Sequence, residues 1–309
     1  MTAMNTQGSN LRVAAPHRGA GAGAGATVIF RAGVSRGITE TRHVWRRPRE
    51  SLLPLGMTVA VSIVLAKVIG GSSHVSHTGV RSSDLLLAGY LSYQIISQGL
   101  VTLPQALTTD REDGTLLRMR GVPGGIPVYL ISKVVLLGLQ AVIASTALLI
   151  AGVVVVGFPA PADASHWLLL LAVLMTGFVA SILAGAVVGA LLPNPRGSLA
   201  LVSLLMLGLM FVSGVFYPVT SMPRALQLLG EVFPLKWMAQ GVRAATLPDA
   251  LKAAETGGSW QLPLVFGVLA TWILVAGVSA PRLLRRMARR ESGSRLQARR
   301  ERAQRRLAA

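Results

Sequence analysis

The sequence predicts an all-α polytopic membrane protein, and three observations carry that reading. The chain is 52% hydrophobic and 14% charged, with a mean hydropathy of +0.57, outside the usual composition of soluble domains. Its apolar residues fall into six long runs, at 52–69, 85–106, 128–158, 167–192, 198–216 and 262–278, of the length a helix needs to cross ~30 Å of hydrocarbon. Its Lys and Arg residues gather beside alternate runs and at the two ends, as orienting charges do. The third run is longer than a bilayer requires, which implies tilt or projection beyond the headgroups.

Taken in order, residues 1–33 are expected as a flexible leader, because the Gly19–Gly25 tract alternates Gly with Ala and has nothing large to bury. No apolar stretch with a small-residue cleavage site stands in the first fifty residues, so a cleaved signal peptide is not expected. Over 34–50, Val34, Ile38 and Trp45 recur at helical spacing among Arg36, Arg42, Arg46 and Arg47. That pattern fits an amphipathic interfacial helix or a basic flank that sets topology. Residues 51–280 form the six-helix transmembrane domain, and 281–309 a basic tail attracted to membrane lipid.

The positive excess before the first run, after the second (Arg111, Arg118, Arg120), beside Arg196 and after the sixth predicts that these flanks and both termini are cytoplasmic. A net charge of +18 concentrated at the ends, rather than on a folded basic domain, does not point to nucleic acid.

Catalysis finds few candidates. With no Cys there is no thiol nucleophile or cysteine zinc site. The five His residues lie in termini or loops, and His74-Val75-Ser76-His77 reads as exposed loop histidines. No Gly precedes any Lys, so the chain lacks the G-x-x-x-x-G-K loop that cradles phosphates. No cofactor or metal is therefore expected on this chain.

Inside the runs, Tyr90, Gln94, Ser97 and Gln98 cluster on one helical face. Polar groups in hydrocarbon need partners, so this face serves interhelical hydrogen bonding or contact with a substrate. Met206 and Met210 suit either ordinary packing or a permissive binding surface. Gly177, Ser181, Gly185 and Gly189 place a small residue every fourth position, a packing stripe. Lys67 and Lys133 are read as long side chains reaching the headgroups, and the runs supply no acids for a proton relay.

Two segments carry a resemblance. One is Glu112-Asp113-Gly114-Thr115-Leu116 followed by Arg118-Met119-Arg120-Gly121-Val122-Pro123. The other runs Ser213-Gly214-Val215-Phe216-Tyr217-Pro218, Met222-Pro223, Phe233-Pro234-Leu235 and Ala239 to Arg243. In this order, and over most of 42–290, the chain resembles the integral-membrane subunit of type-2 ABC exporters. The resemblance implies a cytoplasmic coupling helix in which Glu112, Gly114, Thr115, Leu116 and Arg120 meet a separate ATPase. It further implies a re-entrant outer segment with Gly214, Phe216, Pro218, Pro223, Pro234 and Arg243. The substrate pathway would take Tyr90, Gln94, Gln98, Met206 and Met210 into one cavity near a dimer axis.

The implied assembly is a permease homodimer with two copies of the ATPase, which alone would hold ATP and Mg. The preferred cargo is an amphipathic, drug- or antibiotic-like molecule, with lipid or polysaccharide export or a non-transporting scaffold as alternatives. Lys236-Trp237 departs from the small polar residue and Tyr more usual in relatives.

Overall fold

The computed structural model describes residues 22–46, 48–71, 73–75, 78–113, 115–120, 122, 124–191 and 195–283. Among them no strand is formed, and one isolated bridge joins His74 to Arg81. The helices are α1 (Ala22–Trp45), α2 (Pro48–Leu65), α3 (Ser82–Ser97), α4 (Leu103–Glu112), α5 (Thr115–Arg120), α6 (Gly125–Ala151), α7 (Ala164–Leu191), α8 (Pro195–Val212), α9 (Arg224–Val232) and α10 (Pro234–Thr246), then α11 (Leu262–Leu283). Turns of π-helix extend α2 through Ala66–Gly70 and α6 through Gly152–Val156, and Gln98–Thr102 joins α3 to α4 in one continuous rod.

Among the described residues four helices are long and apolar enough to cross a membrane by themselves: Leu53–Gly70, Gly125–Val156, Ala164–Leu191 and Leu262–Leu283. The remaining two expected spans are the α3–α4 rod, diluted by its polar face, and α8, whose apolar stretch Ala200–Val212 is shorter. The protein is thus an all-α polytopic membrane protein.

At the centre α7 packs along the α3–α4 rod, and the small-residue stripe makes this contact possible. A Cβ on Gly185 would lie 1.8 Å from the Gly99 carbonyl oxygen, and one on Gly189 would press on Leu107 and Pro104. Gly177, nearer the other end, leaves room for Met238 of α10. Ser181 satisfies its hydroxyl on the Phe178 carbonyl at 2.8 Å and approaches the Ile95 carbonyl at 3.4 Å. The backbone crossing coincides with the π turn, which inserts one extra residue and re-aims the side chains beyond it.

Two differences from the sequence reading concern the N-terminal part. Helix α1 starts at Ala22, inside the expected leader, and stops at Trp45. Alanine favours the helix, and the neighbouring α6 supplies the packing energy that a Gly-rich tract lacks alone. The two helices run in the same direction, with Ile29 at Gly124, Gly33 at Ile131 and Gly37 at Val135. So α1 stands against the first half of α6 rather than by itself on a lipid surface. Residues 1–21 and 284–309, which hold the rest of the leader and the basic tail, lie outside the described residues.

Candidate functional site

Three polar regions lie along the bundle, and their chemistry differs. At the end where α4, α5 and α6 meet, Asp110 accepts a hydrogen bond from the Tyr129 hydroxyl at 2.5 Å and an ion pair from Lys133 Nζ at 3.0 Å. Lys133 also reaches Glu40 of α1 at 3.5 Å, and Glu40 is held by Arg36 Nε at 2.8 Å. The Arg36 guanidinium reaches on to the Met119 sulfur of α5 at 3.0 Å. One chain of contacts therefore ties α1, α4, α5 and α6 together around the charged segment. Lys133 is 14% exposed at its side chain, so it is paired in the protein and does not reach for headgroups.

Of the residues assigned to coupling, Thr115 is half-buried at the first turn of α5. Glu112 ends α4, Leu116 and Arg120 belong to α5, and Gly114 lies outside the described residues. Sequence reasoning missed Asp110, Tyr129, Lys133 and Glu40 as a set. The Arg36–Glu40 pair was legible, being four apart on one helix, but nothing local joins it to Asp110.

The second region is a cavity of about 350 Å³ at mid-bundle, walled by the end of α1, the first half of α2, the α3–α4 rod and α6. Gln94, Ser97 and Gln98 line it, together with Trp45, Thr58, Thr102 and Gln140. Gln94 is 5% exposed, yet neither its Nε2 nor its Oε1 has a partner among the described residues. The same holds for Gln98 Oε1 and Trp45 Nε1. A buried polar atom left unpaired costs about 1–3 kcal/mol.

The other residues expected on the substrate pathway lie apart from Gln94 and Gln98. Met206 lines a separate apolar cavity of about 290 Å³ with Leu100, Pro234 and Trp272, on another side of the rod. Tyr90 and Met210 are buried and line neither space, Tyr90 lying 5.7 Å from the Tyr93 ring. The structure thus brings Gln94 and Gln98 together and keeps Met206 away from them. Helical periodicity orders residues around one helix and says nothing of which side faces which neighbour.

The third region occupies the opposite end, where the hairpin of α9 and α10 follows α8 in the chain and α10 packs against α7 and α3. Phe233 is extended and Pro234, which has no N–H to lose, starts α10. Every residue of α10 is buried. At its core Arg243, 0% exposed, holds both oxygens of Glu255 at 2.5 and 3.1 Å and donates to the Gly214 carbonyl at 3.2 Å. Gly214 has φ +74°, and a Cβ there would strike Val219; only glycine fits this turn at low cost.

Phe216 and Pro218 line a cavity of about 580 Å³ at this end, with His74 also on its wall, and Pro223 precedes α9 at an exposed position. Sequence reasoning singled out Gly214 and Arg243 but not Glu255, the buried partner of Arg243. Lys236, also fully buried, lies 3.6 Å over the Trp237 ring, while the Trp237 indole donates to the Glu231 carbonyl at 2.7 Å. In the loop beyond α10, Asp249 is held below the usual carboxylate range, first by Lys252 and then by the Trp260 indole N–H.

No group of three or more His, Asp or Glu residues able to hold a metal occurs among the described residues. A bundle with spanning helices, a charged helical corner at one end, an under-paired polar cavity inside and a buried helical hairpin at the other end defines a multi-pass membrane protein. The ABC-2 type transporter family matches residues 37–247, well over half of the chain, and the chain belongs to that family. It is accordingly a transport subunit of the ABC exporter type, a class that works with an ABC ATPase. Comparison with curated proteins finds no match.

Proposed function

We propose that the chain is the permease half of an ATP-driven exporter that moves an amphipathic, drug- or antibiotic-like substrate out of a bacterial cell. Two copies pair in the cell membrane, and two copies of a separate ATPase bind ATP and Mg and drive them. Both termini and the α5 corner face the cytoplasm, where Glu112, Gly114, Thr115, Leu116 and Arg120 meet the ATPase. The α9–α10 hairpin closes the outer side. Exposed apolar side chains on α2 (Leu53, Met57, Val64) and α8 (Leu201, Leu204) suit contact with lipid and with the second copy.

The observation that carries this reading is the chain of contacts from Met119 through Arg36, Glu40 and Lys133 to Asp110 and Tyr129. A short charged helix transmits motion only if it is clamped to what must move. This one is tied to the spanning helix α6 and to α1, whose end walls the cavity bearing Gln94 and Gln98. Both transport and docking depend on that corner.

The test is Glu112→Lys in cells that also express the cognate ATPase. Membrane insertion is expected to persist, while co-purification with the ATPase and substrate-stimulated ATP turnover fall at least about tenfold, the equivalent of ~1.4 kcal/mol of contact energy. Unchanged docking and turnover would leave the segment a solvated loop and favour a scaffold role.

A further inference from the structure

We infer that the cavity between α1, α2, the α3–α4 rod and α6 receives an uncharged polar head bearing hydroxyl or amide groups, and discriminates against charged ones. The inference rests on the pathway reading above and specifies its chemistry.

Its basis is the set of atoms that no protein group satisfies. Gln94 offers a buried donor and a buried acceptor, Gln98 an acceptor and Trp45 a donor. A ligand that meets all four must itself donate and accept, as hydroxyls and amides do. A carboxylate or phosphate accepts only, and an ammonium donates only, so each leaves part of the set unmet.

Charge gives the second argument. Among the described residues none that lines the cavity is ionisable, and Arg46, the residue after Trp45, is exposed and does not line it. An ionic head would therefore lose its hydration without gaining a counter-charge. The third argument is shape. Pro54, Leu55 and the Trp45 ring supply an apolar wall beside the glutamines, suited to the non-polar face of a head group. The volume of about 350 Å³ is at the small end of the ~300–1,000 Å³ typical of ligand pockets, enough for a head and not for a whole large amphiphile. The π turn supports the same assignment, because it sets Gln98 and Thr102 on the cavity wall while its Gly99 meets Gly185.

The chain has no Cys, which gives a direct test on the full-length protein in lipid nanodiscs. A Gln140→Cys variant places one thiol on the cavity wall, and Ser73→Cys places one in an exposed loop as control. Alkylation by N-ethylmaleimide is timed with three probes of equal tail length: octyl glucoside, octyltrimethylammonium and octyl sulfate, all below micelle formation. The glucoside is expected to slow alkylation of the Gln140→Cys thiol about fivefold, at a concentration of about four times its Kd, without affecting the Ser73→Cys control. The two charged probes should change neither rate by as much as about twofold.

Adding Gln94→Leu, or separately Gln98→Leu, should remove most of the glucoside protection while each variant remains monodisperse. Equal protection by a charged probe, or protection that survives both leucine substitutions, overturns the inference. The two levels separate cleanly. If the protection pattern holds but Gln94→Leu exports every substrate normally, the head-group site stands and the pathway reading falls. If Gln94→Leu shifts export while charged probes protect equally, the pathway stands and the head-group chemistry falls.

Discussion

Two deeply buried polar side chains, Arg243 at the hairpin end and Gln94 in the central cavity, are held in opposite ways. Arg243 has its guanidinium shared between Glu255 and the Gly214 carbonyl, so its burial is compensated atom by atom. Gln94, buried nearly as deeply, has no protein partner at either end of its amide. The contrast is between these two residues and not between whole regions, because Lys236 Nζ and Gln240 Oε1 at the hairpin end also lack a hydrogen-bond partner.

The most damaging way to break this comparison is to attack the frame both regions share. Gly185→Val puts a branched side chain into backbone already in contact with Gly99, and should cost more than about 4 kcal/mol, the range of severe overpacking. The measurement is recovery of monodisperse protein after detergent extraction, expected to be near zero, with Gly208→Val, whose Cβ meets nothing, recovered normally.

Next in size, Glu255→Ala leaves a buried guanidinium without its counter-charge and should lower stability by about 3–5 kcal/mol. A thermal unfolding series in detergent reads it, and the double variant Arg243→Met with Glu255→Leu should recover much of the loss. No recovery would mean that the pair serves more than charge compensation. The smallest effect has the opposite sign. Gln94→Leu removes two unpaired polar atoms at similar volume, so stability should stay level or rise by about 1 kcal/mol. A clear loss of stability would make Gln94 a structural residue and erase the contrast.

Much of the fold was legible in the sequence because hydropathy and small-residue spacing are local signals. Each of the six apolar runs is helical over most of its described length, and the stripe from Gly177 to Gly189 is the surface on which α7 meets the α3–α4 rod and α10. What was not legible is relational. Glu255 lies twelve residues beyond Arg243 in an irregular segment with no periodicity to align them. Asp110, Lys133 and Glu40 come from three helices, so their pairing exists only after the bundle forms. Trp45 and Gln140 stand on two further walls of the Gln94 cavity, and Met206 turns to a different one. The start of α1 was hidden for another reason: its Gly and Ala residues look featureless until α6 lies beside them.

The length of α6 has a mechanical consequence. Its continuous 32 residues make a rod of about 48 Å against ~30 Å of hydrocarbon. Tilt alone would have to reach about 50°, beyond the ~40° limit of spanning helices, so part of the rod must stand outside the lipid. The excess is about 18 Å, roughly the stretch that begins at Gly125, carries Tyr129 and Lys133 and is braced by α1. Such a segment is a lever arm. Pivoted at the lipid surface through about 10°, it would sweep its tip, and the α5 corner fastened there, by about 3 Å, and would convert the same sideways push into rotation of the buried half.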